Sequence, residues 1–380
     1  MLVSKTIVPN RIRQARISRE MSIHDLAVRL ELSRQVISQY ELGRVSPSMR
    51  VLNNLSYILK YPISFFYKKP AIESYANSPV FFRSRKTTRK KAHDASIERI
   101  KLFGEIGDFL GNYIDFCEVK MPKFDYRSDL LDVDLIERYA VEMRNFWGLG
   151  LNPINNLVGT FEKNGIAISS IQLGTSKIDG FSLWSNGRPT IFICHDKNSN
   201  SRVRFSAAHE LGHLAMHSDV YSNEDLLGKD IKEHLEVEAD IFAGAFLLPK
   251  ETFSKDVYSS SIDHFIQLKA KWKAPIYAMI KRCEVLSLLS DNQIKYLSDQ
   301  MTKRGYWQKE PLDDMPVERP VAFRQAIDLI MENNILIADE IREDIGISYD
   351  ELEEYCFLDK GYFSTDIDND NQLIYLKRDI

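Results

Sequence analysis

The chain has 380 residues, 44% hydrophobic and 27% charged, with a net charge of -4. That is globular composition for two or three domains, and with no run of about 18 apolar residues it predicts no membrane span. The start, Met1-Leu-Val-Ser-Lys-Thr6, lacks the basic-then-apolar layout of a signal peptide. The four cysteines, Cys117, Cys194, Cys283 and Cys356, form no close pair, so the expectation is free thiols in a reducing cytoplasm.

The net charge hides an asymmetry. Residues 1–91 hold 18 Lys/Arg against 5 Asp/Glu, or +13, whereas the remaining 289 hold 32 against 49, or -17. A basic head on an acidic body points to a polyanionic partner for the head.

In chain order, residues 9–67 read as helices with short polar breaks. Pro70 to Pro79 reads as a linker, and Phe81-Phe-Arg-Ser-Arg-Lys-Thr-Thr-Arg-Lys-Lys91 as a basic stretch, either a solvated linker or a phosphate grip. Helical periodicity covers 95–119. A second helix fits 133–147, and a third opens at Pro153 and runs to Gly165. Phe181–Trp184 and Thr190–Cys194 flank Ser185-Asn-Gly-Arg188, the signature of a tight hairpin. Helices are expected at 203–217 and 234–247, and mostly helix from 251 on. The acidic tail suggests a short strand at Leu373–Leu376. Asp366-Ile-Asp-Asn-Asp370 lacks the glycine and glutamate of a calcium loop and reads as a solvated turn. The expected class is α+β, mostly α. Boundaries are expected at 1–70, 71–130 (basic linker and connecting helix), 131–250 and 251–380 (mainly helical).

Residues 22–41 follow a helix-turn-helix logic. Ser22 can cap one helix, with Asp25 at the capping-box position, and Ser33 can cap the next. Leu26, Ala27, Leu30, Val36, Ile37 and Tyr40 would face inward. Ser33, Arg34, Gln35, Ser38 and Gln39 are then the DNA-contact candidates, since Arg and Gln suit guanine and adenine edges in a major groove. With Arg11-Ile-Arg-Gln-Ala-Arg16, Ile37-Ser-Gln-Tyr-Glu-Leu-Gly43 and Pro47, residues 9–66 resemble the XRE (Cro/CI-like) helix-turn-helix family. The resemblance implies an Arg16–Glu41 ion pair and a homodimer on an inverted repeat of double-stranded operator DNA. The chain departs from that pattern at Glu31, usually a small residue or Gly, and at Ile23, usually Gln.

In Arg204-Phe-Ser-Ala-Ala-His-Glu-Leu-Gly-His213, His209 and His213 share a helix face at i and i+4 and can ligate one ion, with Glu210 beside them as general base. His217 extends the row. At i+8, about 12 Å along a helix axis, it is too far to share the ion with His209, and so reads as a helix-end residue or one supporting a ligand. Glu236 and Asp240 form another i, i+4 pair. Glu236 would complete a His2Glu set, with Glu238 as runner-up, and Asp240 could accept the remaining ring N–H of a ligand histidine.

His209–His217 followed by Glu236-x-x-Ala-Asp-x-Phe-Ala-x-x-Phe-Leu-Leu-Pro249 resembles the ImmA/IrrE metallopeptidases. Trp147-Gly-Leu-Gly, Asn164-Gly-Ile, Gly187-Arg-Pro and Asp196-Lys-Asn extend the match upstream. Leu268-Lys-x-Lys-Trp-Lys and Arg304-Gly-Tyr-Trp-x-Lys-Glu-Pro311 extend it downstream. The resemblance implies a zinc metalloendopeptidase (a His2Glu set can also take manganese or iron) that cuts a helix-turn-helix repressor and so controls mobile-element, stress or defence genes. The chain's own linker is the other candidate substrate, and Thr190–Cys194 is the expected edge for a substrate strand. The competing reading is a non-proteolytic repressor or antitoxin-like regulator whose zincin domain only senses metal or a partner.

Overall fold

The structure, a computed structural model, describes residues 6–69, 80–84, 90–126, 132–170, 178–185, 187–193, 199–218 and 228–363. The strand expected at Leu373–Leu376, the acidic turn at Asp366–Asp370 and Asp196-Lys-Asn lie outside the described residues. The chain divides into two compact units. The first comprises Met1–Glu73, Arg89–Asp115 and Val321–Ile380, and the second Ser74–Thr88 and Phe116–Pro320. The first segment ends at Glu73, close to the expected 70, and the later breaks follow Asp115 and Pro320.

The first unit begins with α1 (Pro9–Ser18), α2 (Ile23–Leu30), α3 (Arg34–Glu41), α4 (Met49–Leu59) and a 3-10 turn at Ile63–Tyr67. Local chemistry sets these boundaries. Ser22 and Asp25 form a reciprocal capping box on α2, and the Ser33 hydroxyl accepts from Val36 N–H at the start of α3. Ile12, Ala15, Leu26, Ile37, Leu52 and Leu55 close the core. The long α5 (Lys90–Leu110) packs along α1, and its Glu105 takes a paired hydrogen bond from the Arg11 guanidinium at 2.8 and 2.9 Å. It ends at Leu110, short of the expected 119. The unit is completed by α14 (Ala322–Glu332), α15 (Ala338–Ile345) and α16 (Tyr349–Tyr355). Phe323 stacks on Phe103 of α5 at 4.7 Å, beside Gly107, where an added Cβ would sit 3.2 Å from the Phe323 ring. The α14 and α15 helices thus pack on α5 instead of continuing the helices before them.

In the second unit, α6 (Val133–Phe146) and α7 (Leu157–Lys163) precede a four-stranded sheet made of β1 (Val80–Ser84), β2 (Ala167–Ser170), β3 (Ile178–Ser185) and β4 (Arg188–Ile193). The α7 helix starts at Leu157, not at Pro153. Asn156 caps it, and the Glu318 carboxylate accepts from the Leu157 and Val158 N–H groups. Sheet order is β1-β3-β4-β2, antiparallel except for the parallel β2–β4 pair. The expected hairpin is β3–β4, with Ser185 opposite Arg188 and Gly187 at φ +75° in the two-residue turn. The expectation that residues 190–194 form a free edge is overturned, because β4 pairs on both sides. The outer edge of β3 carries β1, from the stretch read as a linker.

Across the sheet lie α8 (Asn200–Gly212), which widens into a π turn at His213–His217, and α9 (Lys229–Leu247), packed against α8 and α6. The α10 (Lys250–Asp256), α11 (Ile262–Trp272), α12 (Ile276–Val285) and α13 (Asp291–Lys303) helices follow. Trp272, Ile276 and Met279 share one apolar core with Leu211 and Phe242, so these helices are part of the metal-site unit and not of a separate C-terminal domain.

Candidate metal centre and DNA-reading face

The metal centre begins with a close helix crossing. Gly212 lies where an added Cβ would come within 3.2–3.3 Å of Phe242 and the Ala239 backbone, so its missing side chain lets α9 approach α8. That approach puts Glu236 of α9 against the histidine face of α8. His209 Nε2 and His213 Nε2 are 3.1 Å apart, and the Glu236 oxygens lie 3.4 and 3.5 Å from them. One atom from each of the three residues lies within 4.8 Å of the others, the size of a shared ion site.

Protonation suits ligation. Burial pushes the His213 imidazole down to about 3, so it is neutral. Burial alone would raise the Glu236 carboxyl, but its closeness to the His209 and His213 rings outweighs that and holds it well below the usual range. Two imidazoles and one carboxylate converging on a point are a donor set that fits a divalent ion.

The supports of the two histidines differ. His209 Nδ1 meets Asp240 Oδ1 at 2.7 Å, and Asp240 is 43% exposed. His213 Nδ1 meets His217 Nδ1 at 2.9 Å, and His217 Nε2 meets Glu238 Oε2 at 3.0 Å. Both His217 and Glu238 are buried, and Tyr126 Oη donates to the same glutamate oxygen. Burial keeps the His217 ring neutral as well. His217 therefore lies behind a ligand histidine, and Glu238, the runner-up ligand, faces away from the donor group. Sequence gave no signal for Tyr126, which lies 112 positions from Glu238.

Glu210 is buried between α8 and β3. The Ser182 hydroxyl donates to its Oε2 at 2.7 Å, and an added Cβ on Gly180 would sit 3.4 Å from its Oε1. Ser182 was also missed. Its one trace is a hydroxyl between Phe181 and Leu183, in a strand whose described side chains are otherwise largely apolar.

On α3, Arg34 and Gln35 are exposed, Ser38 and Gln39 are half-buried, and Ile37 and Tyr40 fill the core. Exposed Ser33 spends its hydroxyl on the helix cap. Val36, expected inward, is half-buried. Arg16 binds Glu41 through Nε and Nη2 at 2.6 and 2.9 Å and donates from Nη1 to the Met21 carbonyl, tying α1 to α3. Glu31 has φ +55°, the left-handed region that favours glycine, which explains why a residue without a Cβ suits that turn. Of the basic stretch, residues 85–89 lie outside the described residues, and Lys91 pairs with Asp25 at 3.3 Å.

Fold and site define a helix-turn-helix unit combined with a zincin-type HExxH helix and a His-His-Glu cluster. Residues 12–66 match the helix-turn-helix family model, and residues 161–284 match the model of the IrrE N-terminal-like domain, a peptidase family. The chain thus joins an XRE-type DNA-binding domain to an ImmA/IrrE-like metallopeptidase-family domain. No curated protein matches it. Among the described residues, no helix is long and apolar enough to cross a membrane.

Proposed function

We propose that this chain is a cytoplasmic transcriptional regulator that binds operator DNA as a homodimer and hydrolyses peptide bonds at the His209–His213–Glu236 centre. Its target is a helix-turn-helix repressor or its own linker, and cleavage controls genes of a mobile element, stress or defence response. The observation that carries this reading is the convergence of the two histidines and Glu236, with the Glu210 carboxylate on the same helix.

His209, His213 and Glu236 would hold zinc, or manganese in its place, which when bound polarises a scissile carbonyl and acidifies water. Glu210 takes the proton of the attacking water and delivers it to the departing amine. The Ser182 hydroxyl orients the Glu210 carboxylate for both transfers. Asp240, by accepting from His209 Nδ1–H, leaves Nε2 of that ring free to ligate.

A specific observation favours the linker as one substrate. The β3 strand passes Glu210 through Gly180 and Ser182, and its outer edge pairs antiparallel with residues 80–84. An extended segment from between the two matched domains already lies along the strand beside the general base, in the manner of a peptide added to a sheet edge.

The test is to incubate the zinc-loaded full chain alone and with helix-turn-helix repressors encoded beside its gene, and to map fragments by mass spectrometry. Cuts should appear in a repressor or between residues 70 and 89. Glu210→Gln should slow them by roughly 10²-fold or more. Absence of any fragment, or equal cutting by the variant, refutes the peptidase and favours a domain that only senses metal or a partner.

A further inference from the structure

Behind His213 the protein has buried more polar chemistry than ligation requires. His217, Glu238 and Tyr126 run inward from the ring in one hydrogen-bonded row. His213 Nδ1 to His217 Nδ1 spans 2.9 Å, His217 Nε2 to Glu238 Oε2 spans 3.0 Å, and Tyr126 Oη reaches the same oxygen. The Tyr126 ring packs edge-on to His217, with centroids 5.0 Å apart, and His234 Nε2 lies 3.4 Å from the other Glu238 oxygen. Burial removes the water that would otherwise bond these oxygens, so the three side chains around Glu238 must replace it.

The row has one consistent direction. A carboxylate only accepts, so His217 must carry its proton on Nε2 and present a lone pair at Nδ1. His213 must then donate from Nδ1–H, which leaves its Nε2 unprotonated and aimed at His209 and Glu236. In the opposite direction His213 would be protonated on Nε2 and unable to ligate, while a bare His217 nitrogen would face the Glu238 oxygen. As the acceptor at the end of the row, Glu238 therefore selects the ligating tautomer of a residue it does not touch.

We infer that His217, Glu238 and Tyr126 are positioning residues of the metal centre, which fix the tautomer and ring orientation of His213 through a histidine-to-carboxylate relay. The inference rests on the metal-binding part of the proposed function and not on cleavage, so it is decided without any substrate.

The experiment is zinc competition between a chromophoric chelator and the full-length chain, with the melting of the zinc-free protein as control for folding. His217→Phe and Glu238→Gln should each weaken zinc by roughly 10–100-fold, the usual range for losing the partner of a ligand histidine. Glu238→Asp should recover part of that loss. His264→Phe, at a buried histidine whose Nε2 meets the Asp256 carbonyl, should lower melting without changing zinc affinity. Wild-type zinc affinity in folded His217→Phe, or an equal zinc loss in His264→Phe, overturns the inference. If the two larger variants fail to fold, Tyr126→Phe decides. A measurable zinc loss supports the relay, and unchanged affinity overturns it.

Discussion

The two units solve opposite problems. The helix-turn-helix holds its candidate DNA-contact side chains, Arg34 and Gln35, in solvent, on a scaffold fixed mostly by near neighbours such as Ser22 with Asp25 and Ser33 with Val36. The metal centre holds His209, Glu210 and His213 in the interior, on partners 20 to more than 100 positions away: Glu238 for His217, Ser182 for Glu210, Tyr126 for Glu238. A contact to DNA needs an exposed group, with rigidity supplied by the backbone beneath it. A metal ligand needs its protonation and direction fixed, and burial with directed hydrogen bonds does that. Substitutions should therefore cost most in the second unit and change sign most easily in the first.

The largest expected effect is at Lys269, whose buried ammonium binds Glu310 at 2.7 Å and Asp313 at 2.6 Å. Glu310 also accepts from Ile276 N–H at the start of α12, and Asp313 from the Ser199 hydroxyl. Lys269→Met leaves two carboxylates buried together without their cation, at a cost of about 3–5 kcal/mol in thermal or denaturant unfolding. The pH dependence should invert as well. Burial would raise the Asp313 carboxyl, but the bonds from Lys269, Ser199 and Glu310 N–H outweigh it and hold it below its ordinary value. A depressed carboxyl contributes stability above its unfolded pKa and loses it as pH falls through the folded one. Wild type should weaken on acidification through the carboxylate range, whereas Lys269→Met should recover. Parallel curves for the two proteins would show that this cluster does not govern the unit.

The same contrast explains what the sequence disclosed. Caps and the inward set of α2 and α3, Val36 apart, depend on spacing and could be read directly, whereas the Gly-compatible turn at Glu31 came from the family resemblance. The metal triad was half-readable, since His209/His213 and Glu236/Asp240 are each i, i+4 pairs on a helix. Their meeting depends on the α8–α9 crossing at Gly212, which only packing shows. His217 could be excluded as a ligand by distance, but its role needed Glu238 and Tyr126 brought to it by tertiary structure. The β1 strand is five residues at the edge of a basic stretch, and its partner lies a hundred residues on, so pairing and not propensity made it a strand. The division near Pro320 was invisible for a similar reason: helices on both sides of it read alike, and only the packing of Phe323 on Phe103 assigns α14 to the first unit.

A middle-sized effect is expected on DNA. Arg34→Ala with Gln39→Ala removes candidate base contacts at about 1–3 kcal/mol each, while α3 keeps its cap and its buried Ile37 and Tyr40. Fluorescence anisotropy on an operator selected from a random pool should show a large loss of specific binding and a small one on random DNA. Equal losses would mean that these side chains meet phosphate and that another surface reads the bases.

The smallest effects should have opposite signs within one turn. Glu31 ends α2 in a Schellman-type arrangement, with its N–H on the Val28 carbonyl, Leu32 N–H on Ala27, and φ +55°. Glu31→Gly relieves a left-handed side chain worth about 1–2 kcal/mol and gives back about 0.5–1 in unfolded-chain entropy, for a net gain of at most about 1.5 kcal/mol. Ser33→Ala, two residues on, removes the Val36 cap and should cost about 1 kcal/mol. Glu31→Gly touches none of the candidate contacts Ser33, Arg34, Gln35, Ser38 and Gln39, so its specific DNA affinity should follow folded fraction and nothing more. If Glu31→Gly destabilised the unit, the glutamate side chain would be doing something in that turn beyond tolerating it, and the scaffold beneath the reading helix would be less local than its caps imply.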